Sequence, residues 1–128
     1  SNILKPISLN VSHKQAWPLC KYDLVYTANT SHIMSWPEVI LMIEMVADIL
    51  NDDGLFICYS PFKFKGEFTT KSNHNFDDFL KQQKSSMGIR DCEAIKDEAS
   101  KNKILFLNKH DMPANNHILV FQKNNNSD

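Results

Sequence analysis

Glycine is scarce in this sequence. Only Gly54, Gly66 and Gly88 occur among 128 residues, and no two of them form a G-x-G. A glycine-rich turn that lets backbone approach a phosphate or nucleotide at the start of a helix is therefore missing. Cysteine is scarce as well. Cys20, Cys58 and Cys92 are widely spaced and make no C-x-x-C. An odd, dispersed set excludes a disulfide framework and suits a reducing cytoplasm. Cys58, inside an apolar run, reads as a small buried apolar side chain. No stretch of about 18 apolar residues exists, so no membrane-spanning helix is expected. A secretory signal with a charged start and apolar centre is also missing. Charge of one sign does not dominate: 14 basic and 15 acidic residues leave −1. That balance gives no overall pull toward nucleic acid or an anionic membrane. His13, His74, His110 and His117 show no ligand spacing with one another or with the cysteines, so no metal is expected.

What is present is a globular composition, with 42% hydrophobic and 23% charged residues. One domain over 1–123 is expected, followed by a polar tail at 124–128 that buries too little to stay ordered. Ser1-Asn2 reads as a cloning remnant. Ile3 to Val11 reads as a strand, kept to an edge or bulge by Pro6. His13 to Lys21 reads as a loop, and Tyr22 to Asn29 as a second strand. Ser35-Trp36-Pro37-Glu38 has capping-box spacing, so a helix over Pro37 to Leu50 follows. This helix is apolar nearly all round, apart from Glu44 and Asp48, and so should be covered on more than one side. Asn51 to Gly54 reads as a turn, with Gly54 suited to positive φ. Leu55 to Ser60 is a continuously apolar strand of the kind buried on both faces of a parallel sheet. Strand, helix and strand make a right-handed βαβ unit.

A loop over Pro61 to Asn73 comes next. A helix over Asn75 to Lys84 should turn Phe76, Phe79 and Leu80 to one face. Asp91 can cap another helix through about Lys101, with Ile95 and Ala99 inward. Ile104 to Asn108 and His117 to Gln122 close the chain as a hairpin across Asp111 to Asn116. The expected architecture is α/β, with a mixed sheet of about five strands whose last strand is antiparallel to the rest.

Several short motifs then stand in order: Asn29-x-x-His32-Ile33, Tyr59-Ser60-Pro61-Phe62, Gly66-Glu67-Phe68-Thr69, Ser72-Asn73, Phe76-Asp77, Leu80, Gly88-Ile89-Arg90-Asp91 and Met112-Pro113-Ala114-Asn115-Asn116. This set resembles the methyltransferase-like protein 26 family, over nearly the whole chain. The resemblance implies an incomplete Rossmann-like fold, a three-layer sandwich of the class I methyltransferase kind, with this chain starting near the third strand. It implies that S-adenosylmethionine is the cofactor of the complete protein and that the glycine-rich, cofactor-holding part lies upstream. This chain alone is then expected to bind no cofactor tightly and to be inactive alone. The sequence departs from the family at Asn10-Val11, where Asp-Val is usual, and at Met87, where Trp is usual. By the resemblance Asn10 and Val11 would sit near the adenine, with Asn29 nearby.

The candidate site residues cluster at expected strand ends, where ligands bind in open α/β sheets. His32 and Asn29 are the catalytic candidates, His32 as a proton acceptor with an ordinary pKa of about 6.5. Holding the loop is the other reading of both. Tyr59, Pro61 and Phe62 either stack on a substrate or pack beneath the next loop. Arg90 either clamps a carboxylate or phosphate or pairs internally with Asp77 or Asp91. Asn73 belongs to the same polar set. Asn115 and Asn116 either satisfy turn backbone or touch substrate. Lys63, Lys65 and Lys71 either meet phosphates or are merely solvated.

Two functions follow. The chain is the substrate-side part of a methyltransferase acting on an unknown small molecule or protein, or it is a non-catalytic methyltransferase-like remnant that binds a partner. Uncovered strand edges and the apolar helix surface (Leu41, Met42, Met45, Ile49) favour a homodimer in either case.

Overall fold

A computed structural model describes residues 20–124. The chain forms β1 (Tyr22–Ala28), α1 (Trp36–Ile49), β2 (Leu50–Ser60), β3 (Phe62–Phe64), β4 (Glu67–Phe68), α2 (Lys71–Gln83), β5 (Arg90–Asp91), α3 (Cys92–Lys101), β6 (Ile104–Met112) and β7 (Asn116–Lys123). The main sheet has four strands in the order β1-β2-β7-β6. β1 and β2 run parallel, and β7 is antiparallel to both β2 and β6. The expected mixed sheet with an antiparallel last strand is thus present. The further expected strand, Ile3 to Val11, lies outside the described residues. A small second sheet has the order β4-β3-β5, and its strands β3 and β4 lie in what the sequence suggested was loop.

α1 starts where the capping box places it. The Glu38 amide donates to Ser35 Oγ at 3.3 Å, and the Ser35 amide donates to Glu38 Oε1 at 2.9 Å. At its other end, the orphan carbonyls accept from lysines: Lys123 Nζ reaches Ala47 O at 2.6 Å and Leu50 O at 3.0 Å, and Lys21 Nζ reaches Asp48 O at 3.1 Å. Positive charge there also complements the helix dipole. α1 and α3 lie together on one face of the sheet. Val39, Ile43 and Val46 of α1, Ile95 and Ala99 of α3, and Phe56, Leu119 and Phe121 of the sheet form one buried cluster. Each large side chain buried there contributes about 1.5–3 kcal/mol by leaving water. Met42, Met45 and Ile49 of α1 are in that buried layer too, so the helix is not the bare apolar surface the sequence suggested.

The other face of the sheet is open among the described residues. Leu24 and Tyr26 of β1 are 51% and 57% exposed, and Leu105 and Leu107 of β6 are 41% and 50% exposed. Between them, Ile57 and Tyr59 of β2 and Ile118 and Val120 of β7 are half-buried. The register sets Tyr26 against Ile57 and Ile57 against Val120, so these side chains share one surface. β2 is therefore covered on one side only, not on both as its apolar run suggested, and of three layers the described residues complete two.

Three local expectations are corrected. The Asn51–Gly54 turn is a bulge inside β2: Tyr22 pairs with Leu50 and Leu24 with Leu55. Asp53, not Gly54, takes the positive φ, at 64°. Gly54 is required for closeness instead, because a Cβ there would stand 2.8 Å from Asn51 O. α2 starts at Lys71, four residues before the expected Asn75, because Thr70 Oγ1 caps it by accepting from the Asn73 amide at 3.1 Å. The buried face of α2 is Asn73, Asp77 and Leu80, while Phe76 and Phe79 are 36% and 53% exposed.

Candidate functional site

The carboxyl ends of β1 and β2 form a crest. Asn29 ends β1 in the left-handed region, at φ 56°, and its amide donates to Tyr59 O at 2.7 Å. That turn carries Thr30, Ser31 and His32 over the end of β2. Ser31 and Ser60 are fully buried, with their hydroxyls 3.5 Å apart. β7 begins at the same crest, since Ser60 pairs with His117. The turn before β7 holds Ala114 and Asn115 at φ 60° and 61°. Asn115 O accepts from Asn73 Nδ2 at 3.2 Å, and Asn115 Nδ2 donates to Ser72 Oγ at 3.2 Å, which ties this turn to the start of α2. Asn116 Nδ2 donates back to Pro113 O at 3.3 Å.

Arg90 fastens the β1 turn to the segment after α2. Its guanidinium donates to three backbone carbonyls: Ser31 O at 3.1 Å, Ser86 O at 2.7 Å and Met34 O. Nearby, the Gly88 amide donates to His32 O at 3.0 Å. Asp77 secures the same segment from α2. Its Oδ1 accepts from the Ile89 amide at 2.8 Å and its Oδ2 pairs with Lys81 at 2.8 Å. Gly88 is needed there, because a Cβ would meet Asp77 Oδ1 at 3.0 Å. Asp91 caps α3 through the Glu93 amide and also accepts from the Gly66 amide at 2.6 Å. Arg90 thus finds its partners in carbonyls, and the two aspartates find theirs largely in amides.

His32 is 6% exposed, and its Nδ1 has no hydrogen-bond partner. Its pKa is lowered, first by burial and then by the Arg90 charge, because both disfavour the protonated ring, so the ring keeps its neutral form near pH 7. The edge of the ring meets Phe76, centroid to centroid 5.5 Å. His117 is similar: 7% exposed, Nδ1 unpartnered, Nε2 3.2 Å from Asp111 Oδ1, and its ring 4.8 Å from Phe64. Its pKa is also lowered, chiefly by burial.

The crest therefore brings together His32, Asn29, Tyr59, Pro61, Arg90, Asn73, Asn115 and Asn116. Phe62 lies just beyond, at 0% exposure, and Pro61 is buried with it, so both are packed beneath the following segment. Asn10 and Val11 lie outside the described residues. Sequence reasoning passed over Ser31, Ser60 and His117. The placement of His117 directly after Asn115-Asn116, opening a strand that returns along β2, was the available signal. Two open concavities, of about 360 and 650 Å³, lie elsewhere: one between Lys21, Glu44 and Lys123, the other between Phe68, Lys71 and His74. No group of three or more His, Cys, Asp or Glu is set to hold a metal among the described residues. No helix among them is long and apolar enough to cross a membrane.

The described residues do not by themselves fit S-adenosylmethionine. Gly66, at φ 77°, lies in the exposed β3–β4 turn, and Gly54 and Gly88 are pressed against neighbouring atoms. None opens a helix behind a strand end. The helix starts are already capped by Ser35, Thr70 and Asp91, so no free cradle of N–H donors is offered there.

A mixed sheet with α1 and α3 on one face, ending in an antiparallel hairpin, is consistent with a partial Rossmann-like fold of the class I methyltransferase kind. Solved structures share it at low identity. An O-methyltransferase family protein from Burkholderia thailandensis matches with TM-score 0.79 and 11% identity, over 92% of this chain and 35% of its own. A family 2 O-methyltransferase from Planctomyces limnophilus, solved with apigenin, matches with TM-score 0.75 and 12% identity, over 84% of this chain and 32% of its own. Human N-acetylserotonin methyltransferase, solved with S-adenosylmethionine, matches with TM-score 0.70 and 14% identity, over 84% of this chain and 31% of its own. The chain spans about a third of the length of each of these proteins. Residues 1–123 match the model of DUF938, a family described as a protein of unknown function, and the chain belongs to that family.

Proposed function

We propose that this chain is the carboxyl-terminal, acceptor-side part of an S-adenosylmethionine-dependent methyltransferase, with a finer kinship to methyltransferase-like protein 26 as its motifs suggest. One observation carries the reading: the match to methyltransferase structures covers most of this chain but only about a third of theirs. The cofactor supplies the methyl group and is held by a glycine-rich part outside the described residues. The part of the crest is to hold the acceptor. Neutral His32 takes the proton that the acceptor loses. Arg90 positions the His32 turn through carbonyl contacts, and Asn29 closes it onto β2. Asn73, Asn115 and Asn116 frame the opposite side, with Tyr59 at the strand end. Titration calorimetry with S-adenosylmethionine tests the division of labour. The 128-residue chain should give no saturable heat, and a longer polypeptide carrying a glycine-rich strand-turn-helix ahead of it should bind. Saturable binding by the short chain overturns the division. Absence of binding by both overturns the methyltransferase reading.

The open sheet face favours a second reading, self-association, with a second copy as occupant. A face of four strands spaced about 4.8 Å apart and about five residues deep projects roughly 300 Å². A standard interface takes about 800 Å² from each partner. Pairing through this face is therefore weak, and the homodimer forms only at high concentration. Sedimentation across a concentration series tests it: a mass that rises with concentration supports it, and a strict monomer that binds no apolar dye overturns it.

A further inference from the structure

The large exposed apolar side chains fall into two groups. Leu24, Tyr26, Leu105 and Leu107 belong to the open sheet face. Ile33, Phe76 and Phe79 do not: they are 50%, 36% and 53% exposed, Ile33 follows His32 in the chain, Phe76 meets the His32 ring and Phe79 lies beside Phe76. Phe76 and Phe79 are near-parallel, 15° apart with centroids 6.4 Å from each other, while the same Phe76 meets the edge of the His32 ring. Core packing does not explain this pair, because Asn73, Asp77 and Leu80 hold α2 to the body. Helix propensity does not explain it either, since aromatic residues are no better than average in a helix. Two aromatic rings left in water beside a buried imidazole are a surface shaped for another ring.

The polar atoms at the same place limit what that ring carries. His32 Nδ1 has no partner, and neither has Ser86 Oγ on the segment that Arg90 ties to the His32 turn. A buried unpartnered acceptor costs stability unless something donates to it. Arg90, whose charge His32 senses, makes the place hospitable to an oxygen with partial negative charge and hostile to an ammonium group.

We propose that Phe76, Phe79 and Ile33 form a platform for a planar aromatic ligand bearing a hydroxyl group, and that this hydroxyl donates to Nδ1 of His32. This deepens the methyltransferase reading by naming its acceptor class, a phenol or related aromatic alcohol, and rests on that reading for its biological sense. The binding itself needs no cofactor. Ring stacking supplies the apolar contact, and the single donor supplies orientation.

The test is binding of 2-naphthol and of its methyl ether, 2-methoxynaphthalene, to the 128-residue chain, followed by NMR of side-chain resonances. The two probes share the ring and differ in the donor. Naphthol should shift Phe76, Phe79 and the His32 ring, and should bind about three- to tenfold more tightly than the ether. Phe79→Ala should weaken both probes by about three- to tenfold, as loss of one aromatic contact does. Phe79 is half in water, so the variant keeps its fold. His32→Phe, which keeps a ring and removes the acceptor, should bring the two probes to equal affinity without abolishing binding. Shifts confined to Leu24, Tyr26 and Ile57 on the sheet face would overturn the proposal, as would equal affinity of the two probes for the unaltered chain. A complete protein that methylates only non-aromatic acceptors would overturn the acceptor class and leave the methyltransferase reading standing. One that never binds S-adenosylmethionine would sink that reading and leave the naphthol result intact.

Discussion

The two faces of the four-stranded sheet are written in the same alphabet and live in different surroundings. On one face Phe56, Leu119 and Phe121 are fully buried under α1 and α3. On the other, Leu24, Tyr26, Ile57 and Val120 carry comparable apolar character with no layer above them among the described residues. An antiparallel sheet that meets water on one side alternates apolar and polar residues. β2 and β7 do not alternate so, and their sequences suit cover on both sides. The difference teaches that residue type reports the surroundings a strand is built for, while exposure reports those it has in a given chain.

The comparison breaks or sharpens under substitution. Phe121→Ala on the closed face should have the largest effect, a loss of about 3–5 kcal/mol in urea unfolding, because it leaves a cavity between β7 and the helices. An effect as small as that of an open-face change would mean that the helices do not clamp the sheet. Asp77→Ala should cost about 1–3 kcal/mol, since it strands the buried Ile89 amide that its Oδ1 serves. Acid comes next. The pKa of His32 is lowered in the folded chain, so below its unfolded value of about 6.5 the unfolded chain binds the extra proton. Stability is undiminished above that pH and declines as pH falls through it. The urea midpoint should drop between pH 7.5 and 5.5, and His32→Gln should reduce that drop. The lowered pKa of His117 leaves a residual slope of the same sign in the variant. Smallest of all, Ile57→Thr on the open face should change stability by less than about 1 kcal/mol. It should nonetheless reduce apolar-dye binding and weaken self-association in sedimentation. A loss matching that of Phe121→Ala would show that the open face is covered in solution.

Local signals read well where side chain and backbone speak to each other over a few residues. The Ser35–Glu38 box, the Asp91 cap and the closing hairpin were all legible for that reason, and the placement of His32 and Asn29 at a strand end followed from the βαβ pattern. α2 was misread because the usual sense of inside and outside is inverted on it. Asn73 and Asp77 are buried to satisfy a turn carbonyl and a loop amide, which leaves Phe76 and Phe79 outward. Hydrophobic periodicity is blind to such an inversion. The small second sheet was missed because strands of two or three residues, such as Glu67–Phe68 and Arg90–Asp91, carry no periodic signal. The role of Arg90 was hidden for another reason. Its partners are the carbonyls of Ser31, Met34 and Ser86, and a backbone oxygen has no letter in a sequence.

The position of β7 has a bearing on how the molecule is made. It is the last strand in sequence among the described residues, yet it sits between β2 and β6 and bonds to both. Its contacts with β2 join Leu55 to Gln122 and Ser60 to His117, so they close long loops. Until that segment has been synthesised, β6 has no strand to join it to β2, and the covering helices have only part of their floor. Contacts so distant along the chain slow folding, since loop closure is paid before they form. The two halves of the sheet, β1-β2 and β6, are therefore joined only once β7 lies between them.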